Sequence, residues 1–405
     1  MFKNHNSFVT FCGLTLLYRR LIMKKLSIEN FGQIRNADVT FGDLTILVGP
    51  QATGKSLFVQ LIKLILDKQT IHSEFKRFNV DWNNDIKAFL NLYFGDGMAS
   101  LQDNKKIKIE IDGKKKKLTE FAKPYRTDSE EELFFIPAQR VMSIKEGMTR
   151  TFTDFRAGDP FCLRSFSERL HNLVQNEFNR SDTLFPVSGR LNEAFRDPIE
   201  KNIFGKFQLQ TDSEKYQRRI ILKAKTGDPL PFLVWSAGQR EFVPLLLGLY
   251  WLIPAGRTTK RDSLKRVVIE EPEMGLHPNA ISTVMALVLE LLARDYQVII
   301  STHSPQILDV IWAIQFFKQN QGTIQDVLKI FELKSNPKTR VVAKAALKKD
   351  FKVYFFSTDG VVKDISNLDP GSEDETESGW GGLSGFSSHV GDVVSDVAKR
   401  AQVSA

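Results

Sequence analysis

Apolar and polar residues alternate along 25–41 (KLSIENFGQIRNADVTF), the pattern of strands buried on one face, and the unbroken apolar run Leu44–Val48 (LTILV) reads as a short strand buried on both. That run leads into a glycine-containing loop. Beyond it, Leu57–Leu66 (LFVQLIKLIL) carries apolar residues at helical spacing, so strand, loop and helix follow one another as an α/β unit requires. Two further short apolar runs, Val267–Ile269 and Val298–Ile300, read as a second and a third core strand. Between them and the first unit the pattern is less regular. Residues 107–118 alternate and then turn at Asp112-Gly113, which predicts a hairpin; 166–178 reads as helix, and 207–222 as two strands. After Trp235 a polar turn opens an apolar helix, and 354–362 (YFFSTDGVV) predicts another hairpin at Asp359-Gly360. No sustained heptads and no internal repeat are present, which argues against a long coiled-coil arm.

Composition sharpens this picture at a few points. Of 405 residues, 42% are hydrophobic, enough for a sizeable core, while 56 basic against 48 acidic residues leave a formal charge of +8 that permits contact with polyanions without demanding it. Two cysteines exclude a disulfide framework or a cysteine-based metal site and fit a reducing cytoplasm. The apolar run 8–17 is too short to span a bilayer and is followed by Tyr18, Arg19 and Arg20 rather than a cleavage site, so 1–22 is expected to be an extension of little structural weight, with no membrane partner. Beyond 369 the chain turns to Gly, Ser and acid, a tail in which 390–401 is compatible with one short helix.

The chemistry concentrates in four segments. Gly49-Pro50-Gln51-Ala52-Thr53-Gly54-Lys55-Ser56 matches the G-x-x-x-x-G-K-[ST] phosphate loop (Walker A pattern), flanked by the strand and helix that give the match its meaning. Its amides and the helix N-terminus suit an anion; Lys55 is expected to reach the β- and γ-phosphates of ATP, and Ser56 to offer its hydroxyl to Mg2+. At the end of the strand in VVIEEPEMGLHP two carboxylates adjoin: Glu270 is expected at the metal and Glu271 at the attacking water, unless the pair is simply an acidic turn opening a helix. A third strand ends in Ser301-Thr302-His303-Ser304, where His303 can hydrogen-bond a γ-phosphate oxygen or that water. The fourth segment is Trp235-Ser236-Ala237-Gly238-Gln239, in which Ser236, Gly238 and Gln239 offer a hydroxyl and amides at a helix start; alone, it reads equally well as a plain cap.

This last segment resembles the ABC-type signature motif, with Ala237 where glycine is usual, and the likeness extends from Met23 to about Asp309. It implies an α/β ABC-type ATPase head with a mixed sheet and flanking helices over 23–368, carrying an inserted α+β region at about 70–205. In such proteins the signature closes over ATP held by another subunit, which implies a homodimer or higher homo-oligomer. By the same resemblance Gln139 in FIPAQR is the glutamine that senses Mg2+ and the water, although Pro137 beside it also suits a mere loop boundary. Phe31 and Arg35 are candidates for adenine contact. EEPEMGLHP and STHSP together look most like the stand-alone ATPases grouped with the overcoming-lysogenization-defect proteins. Members with a nuclease carry a Toprim domain after the ATPase; no Asp-x-Asp strand is seen after His303, so the expected effector is a separate protein such as a nuclease, as in anti-phage systems of the PARIS or Septu type. The alternatives are a DNA-repair or chromosome-maintenance type ATPase and a slow-turnover ATP-bound scaffold.

Lys105, Lys106, Lys108, Lys114, Lys115, Lys116 and Lys117 gather around the first predicted hairpin, either as a contact for DNA or as lysines that blunt an exposed sheet edge. If they neutralise DNA phosphates, the log-log salt dependence of binding should steepen by roughly 0.9 per contact. A binding titration across salt concentrations reads this directly, and a flat or absent response excludes the DNA role.

Overall fold

The computed structural model describes residues 23–103, 106–123, 129–178, 182–187, 189–214, 217–224, 226–253, 263–385, 389–391 and 393–395. The expected extension 1–22, Lys105 and the end of the expected 390–401 helix lie outside them; 389–391 and 393–395 are helical.

Six strands form the central sheet, in the order Val362–Asp364, Phe351–Phe356, Leu44–Val48, Gln297–Ser301, Arg266–Glu270 and Leu133–Ile136. Five run parallel, and only Val362–Asp364 pairs antiparallel, closing the hairpin expected at Asp359-Gly360. The apolar runs are unbroken because both faces of the parallel strands are covered. Successive side chains point to opposite faces, so each strand feeds two cores. Leu44, Ile46 and Val48, with Phe134, Ile136, Val267, Ile269, Val298 and Ile300, join the core under the helices Ala237–Leu252, Pro278–Ala293, Pro305–Gln319 and Pro337–Lys348. Leu47, Leu133, Phe135, Val268 and Ile299 face the other core, shared with the helix Lys55–Arg77 and a four-stranded antiparallel sheet. This mixed α/β architecture with flanking helices is the expected class.

The antiparallel sheet has the order Ile34–Thr40, Lys25–Phe31, Lys108–Ile111, Lys114–Lys116. Asp112 and Gly113 take φ of 48° and 78°, the two positive values that a tight two-residue hairpin turn needs. A third sheet joins Gln217–Ala224, Phe207–Glu214 and Thr183–Phe185. The stretch 70–205 is therefore woven into the head: it supplies two strands to the antiparallel sheet and the outer strand Leu133–Ile136 to the central one.

That outer strand is tied to the first helix by buried charge. At Asp67 the helix departs from helical geometry (φ −116°, ψ 22°), and the carboxylate accepts hydrogen bonds from the amides of Glu132 (2.7 Å) and Leu133 (3.0 Å). Lys63 Nζ donates to Asp67 (2.8 Å), Glu131 (2.7 Å) and the Leu133 carbonyl (2.6 Å). Burial alone would pull the Lys63 ammonium down, but the two carboxylates outweigh it and hold its pKa above the usual value. The strand thus starts at a fixed height on the helix, and its far end is placed accordingly.

On the same helix His72 is buried against Trp82 and Phe89, with Nε2 at 2.8 Å from the Phe121 carbonyl. Burial pushes its pKa down from 6.5 to about 4, so the unfolded chain takes up a proton that the folded one refuses. The stability this imidazole contributes is complete above pH 6.5 and is lost as pH falls toward 4. Urea unfolding of His72→Phe should show a shallower loss of stability across that window than the parent. Parallel pH profiles would exclude His72 as the sensitive group.

Candidate functional site

Parallel register brings the strand ends to one edge. Glu270 stands opposite Ser301, Ser301 opposite Leu47, and Ile269 opposite Ile136, so the phosphate loop, the acidic pair, the His303 loop and the Gln139 segment all emerge side by side. Ligands bind at such an edge in open α/β sheets.

The phosphate loop is held too closely for any larger residue at its ends. Gly49 has φ of 139°, and a Cβ there would stand 2.2 Å from the Phe356 carbonyl oxygen; at Gly54, φ 93°, it would meet Ile34 at 2.8 Å. Lys55 folds back into the loop, donating from Nζ to the carbonyls of Gly49 (2.8 Å) and Pro50 (2.6 Å) and approaching Thr53 Oγ1 at 3.4 Å. Burial brings its pKa down to about 8, against the raising pull of Glu271 and Glu273. A cavity of about 290 Å³ opens over this loop, lined by Gln51 to Leu57 together with Gln33, Gln60, Phe94, Met98, Glu271 and His303.

The two adjacent carboxylates have separate environments. Glu270 is 1% exposed; its Oε2 accepts from the Ala138 amide at 3.3 Å, while Oε1 has no hydrogen-bond partner. Burial pushes its pKa up to about 7, opposed by Ser56 and the Ala138 amide. An orphaned buried carboxylate oxygen beside a serine hydroxyl fits Mg2+, which takes few protein oxygens and keeps its waters. Glu271 sits in a left-handed conformation (φ 43°) and turns toward the cavity, 3.4 Å from His303 Nε2. The hydrogen bond from His303 holds its pKa below the ordinary value, so this carboxylate is ionised while its neighbour is poised near neutrality.

Two residues without an expected role prove central. Glu273 Oε1 accepts from Thr302 Oγ1 and from the His303 amide, each at 2.7 Å, and so anchors the loop that carries His303. Arg140, fully buried, donates to the carbonyls of Glu270 (2.9 Å), Glu271 (3.0 Å) and Glu241 (3.1 Å). A charged residue two places after the buried run FFIPA was the one sequence signal for it. Gln139 beside it is exposed and does not line the cavity.

Ser236, Gly238 and Gln239 also stand outside the cavity. Ser236 caps the helix Ala237–Leu252: its Oγ accepts from the Gln239 amide (3.2 Å), and Gln239 Oε1 accepts from the Ser236 amide (3.1 Å). Phe31 is corrected as an adenine candidate, because it is wholly buried in the second core, 5.9 Å from Phe94; Arg35 is exposed. Lys114, Lys115 and Lys116 lie on an exposed edge strand, with Lys115 opposite Glu110; on the same sheet Lys108 pairs with Glu29 (2.7 Å) and Lys25 with Asp38 (2.9 Å). Among the described residues no helix is long and apolar enough to cross a membrane.

Residues 115–309 match the family model described as "AAA domain, putative AbiEii toxin, Type IV TA system", and residues 22–154 match the model of an AAA ATPase domain. The chain is 46% identical over 89 residues to the Old nuclease of Escherichia phage P2, covering 21% of this chain and 15% of that protein. It is 24% identical over 322 residues to the OLD nuclease of Thermus scotoductus, covering 71% of this chain and 60% of the relative. The chain thus spans less than two thirds of either nuclease. Among solved structures it is similar to an SMC head bound to the C-winged helix domain of ScpA (12% identity, 71% of this chain and 91% of that one, TM-score 0.38) and to the SMC head domain from Thermotoga maritima (14%, 84% and 97%, TM-score 0.30). The chain carries an AAA-type ATPase domain related to the OLD nucleases.

Gly49→Ala should cost about 1–3 kcal/mol of stability, from strain and overpacking against Phe356, and should weaken nucleotide binding by distorting the loop. Thermal unfolding and titration with a fluorescent ATP analogue measure both effects. Parent-like values would show that the loop carries no such constraint.

Proposed function

We propose that the chain binds ATP with Mg2+ and hydrolyses it in a composite site completed by a second copy, and that this cycle switches a partner protein in the cytoplasm. The observation that carries the reading is the convergence of Lys55, Glu271 and His303 on one cavity above the phosphate loop. Lys55 leaves the loop carbonyls for the β- and γ-phosphates, where its charge is better satisfied. Ser56 and Glu270 hold the metal, which when bound neutralises charge on the phosphate oxygens. Glu271, ionised and oriented by His303, takes a proton from the attacking water or aligns it. Gln139, exposed at the same sheet edge, is our candidate for a group that reaches water and metal on closure.

The second copy is supported by what stands beside Ser236. Leu233 and Val234, in the turn just before it, are 68% and 61% exposed, an apolar pair that a monomer leaves in water. Seating Ser236, Gly238 and Gln239 on the γ-phosphate of another subunit would bury them. The partner part of the reading, an effector such as a nuclease in anti-phage defence, is supported by the toxin–antitoxin description of the matched model and by the nuclease relatives. DNA contact through the exposed lysines of 114–117 is the alternative partner.

Glu271→Gln should lower kcat by about 10²- to 10⁴-fold, the range for loss of a positioned base, with ATP binding retained. Lys55→Ala should instead lose the binding. In the Glu271→Gln protein, sedimentation should show dimers that form only with Mg-ATP, and Leu233→Glu added to it should prevent them. Undiminished turnover in Glu271→Gln would sink the assignment of the base, and an ATP-insensitive monomer would sink the composite site.

A further inference from the structure

Arg140 joins two places that the composite reading assigns to different nucleotides. Its guanidinium holds the main chain at Glu270 and Glu271, which serve the nucleotide on the chain's own phosphate loop. The same group donates from Nε to the Glu241 carbonyl and faces the Glu241 carboxylate at 3.7 Å. Glu241 stands in the helix that Ser236 caps, whose N-terminus is offered to the nucleotide of the other copy. The first turn of that helix also rests on the loop after the acidic pair: a Cβ on Gly238 would meet the Gly275 carbonyl oxygen at 2.9 Å.

From this geometry we propose that Arg140 and Glu241 are positioning residues that couple the two ATP sites of a dimer, which rests on the composite-site reading above. When Ser236 engages the second nucleotide, the helix Ala237–Leu252 is drawn toward it, and Glu241 moves with the helix. Arg140 has no water to fall back on, so its remaining bonds carry the shift to the peptide of Glu271. That residue is held at φ 43°, where a modest change in backbone support redirects the carboxylate relative to His303. Occupancy of one site is thereby felt at the base of the other, and hydrolysis is cooperative in ATP.

Glu241→Gln keeps the side-chain shape and the helix while removing the charge that faces Arg140; Arg140→Lys removes the fork that reaches the carbonyls of Pro137, Glu241, Glu270 and Glu271. Both should bind ATP within about twofold of the parent, while kcat falls by about 5- to 150-fold, the span of ordinary coupling energies, and the Hill coefficient for ATP falls to one. Glu241→Gln carries the test if Arg140→Lys fails to fold. A merely structural pair would lower the melting temperature in proportion and leave cooperativity intact, and that result overturns the proposal. So does a parent enzyme that is non-cooperative, or a Glu241→Gln enzyme with parental kinetics. If Glu271→Gln forms no ATP-dependent dimer, the composite site itself fails; if it does and Glu241→Gln is parental, only the coupling fails.

Discussion

A guanidinium taken wholly out of water is tolerated only where its N–H groups find acceptors, and Arg140 finds them in the main chain of Pro137, of Glu241, and of the consecutive Glu270 and Glu271. The Glu270 and Glu271 carbonyls stand at the end of the strand Arg266–Glu270, the Glu241 carbonyl in the helix Ala237–Leu252 and the Pro137 carbonyl just past the strand Leu133–Ile136. The acidic pair, the FIPAQR segment and the helix start near Ser236 are consequently positioned as one unit. Removing one partner would leave a buried charge or orphaned carbonyls, which is costlier than the bonds themselves are stabilising.

The sheet makes that junction possible by register. Because Glu270, Ser301 and Leu47 lie level across neighbouring parallel strands, the three loops that follow have the same starting height. The fourth, after Ile136, is set by a different device, the Lys63–Asp67–Glu131 cluster that fastens the start of its strand to the phosphate-loop helix. Polar interactions therefore fix positions at both ends of the outer strand, while apolar packing on two faces supplies the bulk of the stability.

Adjacent residues can be driven to opposite behaviour by such a frame. Glu270 points inward, loses its water and is pushed toward neutrality; Glu271, one peptide further, is turned outward by a left-handed backbone and kept ionised by His303. That division suits one carboxylate to waiting for a cation and the other to acting on water. Glu273, two residues on, meanwhile holds the strand end from which His303 projects.

Local pattern alone was sufficient for the elements around the glycine-containing loop: apolar runs of three to five for the buried strands, helical spacing after Gly54, and paired turn residues at Asp112-Gly113 and Asp359-Gly360. The G-x-x-x-x-G-K-[ST] pattern was legible for the same reason, since it lies in consecutive residues. The anchoring parts of the site were not legible in this way. Arg140, Glu273 and Asp67 act through carbonyls and amides far along the chain, and no spacing rule links a side chain to a main-chain partner from another strand. Phe31 and Gln139 show the converse, since an aromatic at a hairpin or a glutamine after a strand has no direction until packing assigns one. Sequence determined which groups are chemically able to bind phosphate, metal and water; tertiary structure decided which of them face one cavity, because only parallel register and buried charge can bring distant strand ends to the same edge.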